Sequence, residues 1–285
     1  MKIVRFGMTE SGLLLLSFVS KHTNIDINIK KAMSKYIMNL VNWLYTTSGY
    51  YDKTVKGSKF NFDVSALNLN YINFIKHLEQ SAFNCDKTQF YFHDGFIMNL
   101  YLTFKNDFIK HYNITNIEIL NGTKFTDRID EIFTYINRKK LLVISAFDGL
   151  IKQQYESENI YKLGINFPLV LNVDTVKTPY CFLNSGPHQN YFETLDYLFE
   201  EIKKKDFDIA LLGCGAYGHM LTHRIHTELN KEAIYIGGCI TNLFGILGSR
   251  EKKYTTMVPN EYWILKIPDE YKPANYNDIE DGCYW

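Results

Sequence analysis

The sequence predicts an α/β fold, with a parallel sheet in the C-terminal half and a mainly helical N-terminal half. Three observations carry this. Short apolar runs alternate with helical patterns after Lys140, the order of β-α units that builds a parallel sheet. A Gly-x-Gly-x-x-Gly loop, Gly213-Cys214-Gly215-Ala216-Tyr217-Gly218, stands between one such run and a helical stretch. Upstream of Lys140 the apolar residues recur mostly at helical spacing. Residues 1–137 therefore read as the helical half and 138–285 as the α/β half of a single compact unit, 1–285. No internal repeat or low-complexity linker divides them.

The elements follow in chain order. The segment Arg5-Phe6-Gly7-Met8-Thr9-Glu10-Ser11 sits at the junction of a short strand and a helix. Leu13 to Val19 is apolar but interrupted by Ser17, and it is too short for a bilayer, which needs about 20 apolar residues. With Glu10 ahead of it and no small-residue cleavage site, it reads as a helix and not as a signal peptide. Ile29, Ala32, Met33, Tyr36, Ile37, Leu40, Val41, Leu44 and Tyr45 form one helix face. Leu69 to Phe83, Phe96 to Phe108 and Thr126 to Ile136, with Phe125 ahead of the last, are further helices. Leu141-Leu142-Val143-Ile144 and Leu169-Val170-Leu171-Asn172-Val173 read as strands. Phe192, Leu195, Leu198, Phe199 and Ile202 line a helix closed by lysines, which suit a helix C-terminus. A strand at Asp208–Leu212, the glycine loop, a helix from His219 to Leu229 and a strand at Ala233–Ile236 complete a Rossmann-like order.

Composition narrows the function classes. The chain has 285 residues, a hydrophobic fraction of 46% and a formal net charge of +0. It shows no basic stripe, so nucleic-acid binding is not expected. Cys85, Cys181, Cys214, Cys239 and Cys283 are widely spaced and odd in number. They read as reduced thiols of a cytoplasmic protein, not as a disulfide framework or zinc site. Aromatic residues left unburied in the N-terminal half would support a homo-oligomer.

The glycine loop lets the backbone turn tightly so that N–H groups and a helix N-terminus can face a phosphate. The alternative is a purely structural strand–helix turn. A dinucleotide site needs an acid about 20 residues further on, at the end of the next strand. Gly237-Gly238 stands there instead, so NAD is not expected, and a methyl-donor site lacks its acid too. Two glycines at a strand end imply close approach of a ligand or of another segment. The expected ligand contacts are Arg5, Gly7, Gly213, Gly215, Tyr217, Gly218, His219, Gly237 and Gly238. Arg5 and Glu10 could hold a metal or a diphosphate; the plain alternative is helix capping by Thr9 or Ser11, with Glu10 favouring the helix dipole. Asp148 follows the first α/β strand and is either a catalytic base or a helix cap. His219, His223 and His226 share a helix face, a spacing open to zinc or simply to a polar face. The aromatic tail, ending Gly282-Cys283-Tyr284-Trp285, either docks into the body or forms part of a site.

Several of these segments together resemble a known group. They are Leu141 to Phe147 with Ile151 to Tyr155, Phe207 to Gly218, Ala233 to Gly238, Leu243 to Gly248, Asn260-Glu261-Tyr262-Trp263 and Gly282 to Trp285. The chain is similar there to microbial and viral proteins often found with surface-polysaccharide genes. More distantly it resembles the GT-D-type glycosyltransferases. That family opens with Arg-Phe-Gly-Asp-Gly-Glu; Arg5, Phe6, Gly7 and Glu10 match, and Met8 replaces the aspartate. Its later His and acids fall where Gly238, Ile240 and Asn242 stand here. The resemblance implies a Rossmann-like glycosyltransferase with a nucleotide-sugar donor and a glycan or small-molecule acceptor. Glu10 would be catalytic and would ligate Mn²⁺ or Mg²⁺. A non-catalytic nucleotide or nucleotide-sugar binder and a Rossmann-type oxidoreductase are the other two readings.

Overall fold

The structure is a computed structural model that describes residues 1–22, 26–46, 48–54, 69–92, 95–119, 129–254 and 257–285. Its centre is a seven-stranded parallel sheet. The strands are β1 (Lys2–Phe6), β2 (Lys87–Phe90), β3 (Ile117–Ile119), β4 (Lys140–Ser145), β5 (Asn172–Lys177), β6 (Ile209–Gly213) and β7 (Glu232–Tyr235), in the spatial order β3-β2-β1-β7-β6-β4-β5. The α/β prediction holds, and the sheet reaches further than expected. The mainly helical N-terminal half contributes three strands to it. The two halves meet where Lys2 and Ile3 pair with Ala233 and Ile234.

Helices cover both faces, which explains why β4 and β6 are apolar almost throughout. The α1 (Met8–His22), α2 (Ile27–Thr46), α3 (Leu69–Ala82), α4 (Gly95–Tyr112), α7 (Tyr191–Lys203) and α8 (Tyr217–Glu228) helices lie on one face. There they pack against Leu142, Ile144, Ala210 and Leu212. On the other face are α5 (Ile129–Ile136), α6 (Asp148–Glu156) and α9 (Ile240–Leu243), with the tail residues Trp263, Ile267, Ile279 and Trp285. Their strand partners are Leu141, Val143, Ile209 and Leu211. The period-2 alternation along each strand thus divides one sheet between two cores. A last short helix, α10 (Ser249–Tyr254), precedes the tail. Among the described residues no helix is long and apolar enough to cross a membrane.

Two expectations shift. The apolar run at Leu169–Val173 is mostly not strand. β5 begins at Asn172, and Leu169 and Leu171 are each 60% exposed. β5 is an edge strand, so its true span carries weaker apolar character than a central one. The α5 helix starts at Ile129; Phe125 and Thr126 lie outside the described residues.

Candidate functional site

The β4 and β6 strands are neighbours, yet the helices that follow them, α6 and α8, lie on opposite faces of the sheet. The chain therefore leaves the strand ends in two directions and opens a crevice, the usual ligand position in an open parallel sheet. A cavity of about 270 Å³ occupies it. Its lining comes from Arg5 and Gly7 to Glu10 around the β1–α1 junction, Ser145 to Phe147 after β4, and Thr178 to Phe182 after β5. Gly213, Cys214, Gly215 and Tyr217 after β6, and Gly237 and Gly238 after β7, complete the floor. Arg250 of α10 and the tail residues Glu280, Tyr284 and Trp285 form the far wall.

The β1–α1 junction brings Arg5 and Glu10 together as expected. Arg5 Nη1 donates to the Ile236 carbonyl at 2.9 Å, while its buried Nε has no acceptor among the described residues. The guanidinium rests against Gly237, where an added Cβ would lie 2.3 Å from Nη1; φ there is +70°, so glycine is required twice over. Glu10 is buried and folds back over Gly7, its Oε2 2.6 Å from where a Gly7 Cβ would stand. Burial pushes its carboxyl up, against the opposing pull of its own N–H, the Ser48 side chain and Arg5. Capping by Thr9 or Ser11 is not what holds this turn. Ser11 Oγ donates to the Phe6 carbonyl at 3.0 Å and accepts the Tyr91 N–H at 3.2 Å, tying α1 to the ends of β1 and β2.

The glycine loop is built differently from a phosphate cradle. Its Ala216 N–H donates to the Ser48 carbonyl at 2.6 Å, so an oxygen of the chain itself sits where an anion would approach α8. Gly215, at φ +57°, faces the same carbonyl; a Cβ there would come 2.6 Å from it. The Tyr191 and Tyr235 hydroxyls donate to the Ala216 and Gly215 carbonyls, each at 2.9 Å. Gly218 lies off the cavity, flat against the Tyr235 ring. The loop's third glycine therefore serves helix–strand packing. Gly213, Gly215 and Tyr217 do line the cavity, as a wall.

His219 also leaves the expected site. It is fully buried, beside Phe6 and Phe74 with centroids at 6.2 and 5.6 Å, and neither ring nitrogen has a partner among the described residues. Burial, with His77 nearby, pushes its pKa down to about 3. His223 lies 3.1 Å from Lys2 Nζ, and His226 Nδ1 3.4 Å from the Lys231 carbonyl. The three histidines thus have separate surroundings. Asp148 opens α6 outside the cavity lining; Phe147 holds the N-cap position without a side-chain bond. Burial raises the Asp148 carboxyl, and the Gly149 N–H and Lys177 counter it.

A divalent cation of the Mg²⁺ or Mn²⁺ type needs several oxygen ligands. Among the described residues no three His, Cys, Asp or Glu side chains gather. Glu10 is the one acid at the β1–α1 junction, with the Arg5 guanidinium and the uncharged Met8 beside it. Among the described residues this donor set does not fit a metal held by the protein.

The tail does both things the sequence left open. Trp285 is buried, its Nε1 donating to the Tyr271 carbonyl at 2.7 Å, and its carbonyl accepts the Ser249 Oγ proton at 2.6 Å. That docking carries Glu280, Tyr284 and, through α10, Arg250 to the cavity. Sequence reasoning missed Arg250, because nothing local marks an arginine in a short polar helix. Compared with known proteins, the chain matches no family model, and no curated protein or solved structure shows significant similarity to it.

Proposed function

We propose that this cavity binds the diphosphate of a nucleotide-sugar donor and that the protein transfers the sugar to a glycan or small acceptor, in glycan synthesis. The observation that carries the reading is the Arg5–Glu10 pair at the crevice: a guanidinium with an unanswered buried Nε–H beside a buried carboxyl of raised pKa. In such a transfer the acceptor oxygen bonds to the anomeric carbon as the carbon–diphosphate bond breaks. The diphosphate leaves with the electron pair, and Arg5 stabilises that growing charge. Glu10 takes the proton of the acceptor hydroxyl. A carboxylate whose pKa is raised toward the working pH is a stronger base for this than an ordinary one. The aromatic walls at Phe147, Tyr180, Tyr284 and Trp285 suit a base or sugar ring.

A thermal-shift panel of nucleotide sugars and nucleoside diphosphates, with and without Mn²⁺, tests this. A ligand at 100-fold over its dissociation constant stabilises by about 2.7 kcal/mol. The expected result is a response to one nucleotide sugar that does not need Mn²⁺, with donor consumption lost in Glu10→Gln. Silence across the panel would retire the reading. The second reading, a nucleotide-sugar binder without turnover, draws on Met8, which stands where an acid was expected beside Glu10, and on the position of Asp148 outside the cavity lining. Binding without donor consumption in the wild type would select it.

A further inference from the structure

Tryptophan is on average highly buried, and two of the three here follow that rule. Trp263 and Trp285 are each 6% exposed, whereas Trp43 is 43% exposed. It stands in the last turn of α2, where Val41 and Leu44 turn into the core and Trp43 does not. It is no ordinary surface residue, because it lines the cavity. Glycines apart, it is the one exposed residue of that lining among the described residues, which puts it at the mouth. The deeper rings are held by the fold: the Tyr235 hydroxyl by the Gly215 carbonyl, and the Tyr180 hydroxyl and Trp285 Nε1 by that of Tyr271. Trp43 also stands near the carboxyl of the proposed transfer. Its carbonyl accepts the Ser48 N–H at 3.4 Å, and the Ser48 side chain hydrogen-bonds the Glu10 carboxyl. The α1 helix that carries Glu10 packs along the α2 helix that carries Trp43. Both residues therefore belong to one wall, Glu10 at its buried end and Trp43 at its open end.

We infer that Trp43 is the platform of an acceptor subsite and that the acceptor is a sugar: one face of a pyranose ring lies on the indole while one of its hydroxyls reaches Glu10. The inference rests on the transfer reading above and adds to it an acceptor class and the residue that selects it. A pyranose carries hydroxyls around its rim and C–H groups on its faces. An aromatic plane takes the C–H face by dispersion and leaves the rim hydroxyls in water. A buried indole could not offer that plane. The order along the wall assigns the substrate. The hydroxyl that loses its proton must stand at Glu10, so the body of the acceptor points to the mouth and over Trp43. A longer glycan then continues from that ring into solvent.

Tryptophan fluorescence tests it, because Trp43 is the exposed indole of the three and so the one that an iodide quencher reaches. The probes are a panel of methyl pyranosides and their disaccharides, with glycerol as a polyol that has no ring. They are titrated into the wild type alone and with a nucleoside diphosphate present. The expected result is protection of Trp43 from iodide by one saccharide and not by glycerol. Calorimetry with that saccharide should show about tenfold weaker binding to Trp43→Ala and partial recovery in Trp43→Phe, which keeps an aromatic plane, while nucleotide-sugar affinity stays within about twofold. The wild-type protection needs no variant, so misfolding cannot mimic it. If a nucleotide sugar binds while no saccharide protects Trp43, the platform is wrong and the proposed function stands. Equal protection by glycerol also removes the platform, since no ring is then being recognised. If Trp43→Ala weakens the nucleotide sugar and leaves the saccharide unchanged, Trp43 serves the donor and the acceptor subsite is wrong. If neither class of ligand binds, both inferences fall.

Discussion

Replacing Gly218 with alanine separates a ligand role for the glycine loop from a packing role. An added Cβ would stand 2.2, 2.3 and 2.7 Å from three atoms of the Tyr235 ring. That ring cannot swing aside freely: it is buried, and its hydroxyl is bonded to the Gly215 carbonyl at 2.9 Å. Overpacking of this kind costs about 1 to 3 kcal/mol, and the rigid neighbour puts this case at the upper end. Alanine returns about 1 kcal/mol through helix propensity, because Gly218 lies in the first turn of α8. The net expectation is a loss of about 2 kcal/mol, or roughly 4 °C in melting temperature for a chain of this size. The assay is thermal unfolding of Gly218→Ala, Tyr235→Leu and the double variant. Room made by leucine should recover most of the alanine penalty, giving a coupling energy of about 1 kcal/mol or more between two touching residues. A Gly218→Ala protein as stable as the wild type, with weakened ligand binding, would refute the packing account and return the loop to the ligand.

Other predictions follow from the buried groups. His219 has a folded pKa of about 3, below its unfolded value. Its contribution is therefore complete above about pH 6.5 and is lost as pH falls toward 3. Between pH 7 and 5 it should account for about 2 kcal/mol of lost stability, so His219→Leu should show a shallower acid decline in melting temperature; an unchanged slope would sink the assignment. Glu10 behaves oppositely. Its raised folded pKa makes burial of the charge a cost that grows as pH rises past the unfolded value. Glu10→Gln should consequently melt higher than the wild type at pH 7 while losing transfer, and a lower melting point would contradict the buried-carboxyl picture. Trp285→Ala should cost about 3 to 5 kcal/mol and expose Tyr180 and Tyr284 to quenchers, since the indole fixes the tail through the Tyr271 carbonyl; an unchanged melt would mean that the tail is not docked in solution.

The legibility of this fold depended on burial. Leu141 to Ile144, Ile209 to Leu212 and Ala233 to Tyr235 announce themselves because central parallel strands are covered on both faces. β2 and β3 are short and carry Lys87, Thr88, Gln89 and Glu118. No apolar run marks them, and they exist because β1 offers an edge to β2, and β2 in turn offers one to β3. The Arg5–Glu10 junction was readable because strand, turn and helix succeed one another within a few residues. The function of the glycine loop was not. Its decisive partner, the Ser48 carbonyl, belongs to a distant segment, and a motif cannot show whether its N–H groups are already taken. Arg250 escaped notice for the same reason, since the tail that carries it to the cavity is a tertiary arrangement.

The seam between β1 and β7 has a consequence for how the molecule comes into being. β1 leaves the ribosome long before β7, so the early leaf β3-β2-β1 must wait with one edge open until Ala233 and Ile234 arrive. Pairings of such long range form late and expose the unfinished sheet to wrong partners. The same event delivers the Ile236 carbonyl to Arg5. The Arg5 corner of the cavity is thus assembled by the closure of the sheet. A bound ligand would act as a clasp on that closure, and its binding would report that a newly made chain has been finished correctly.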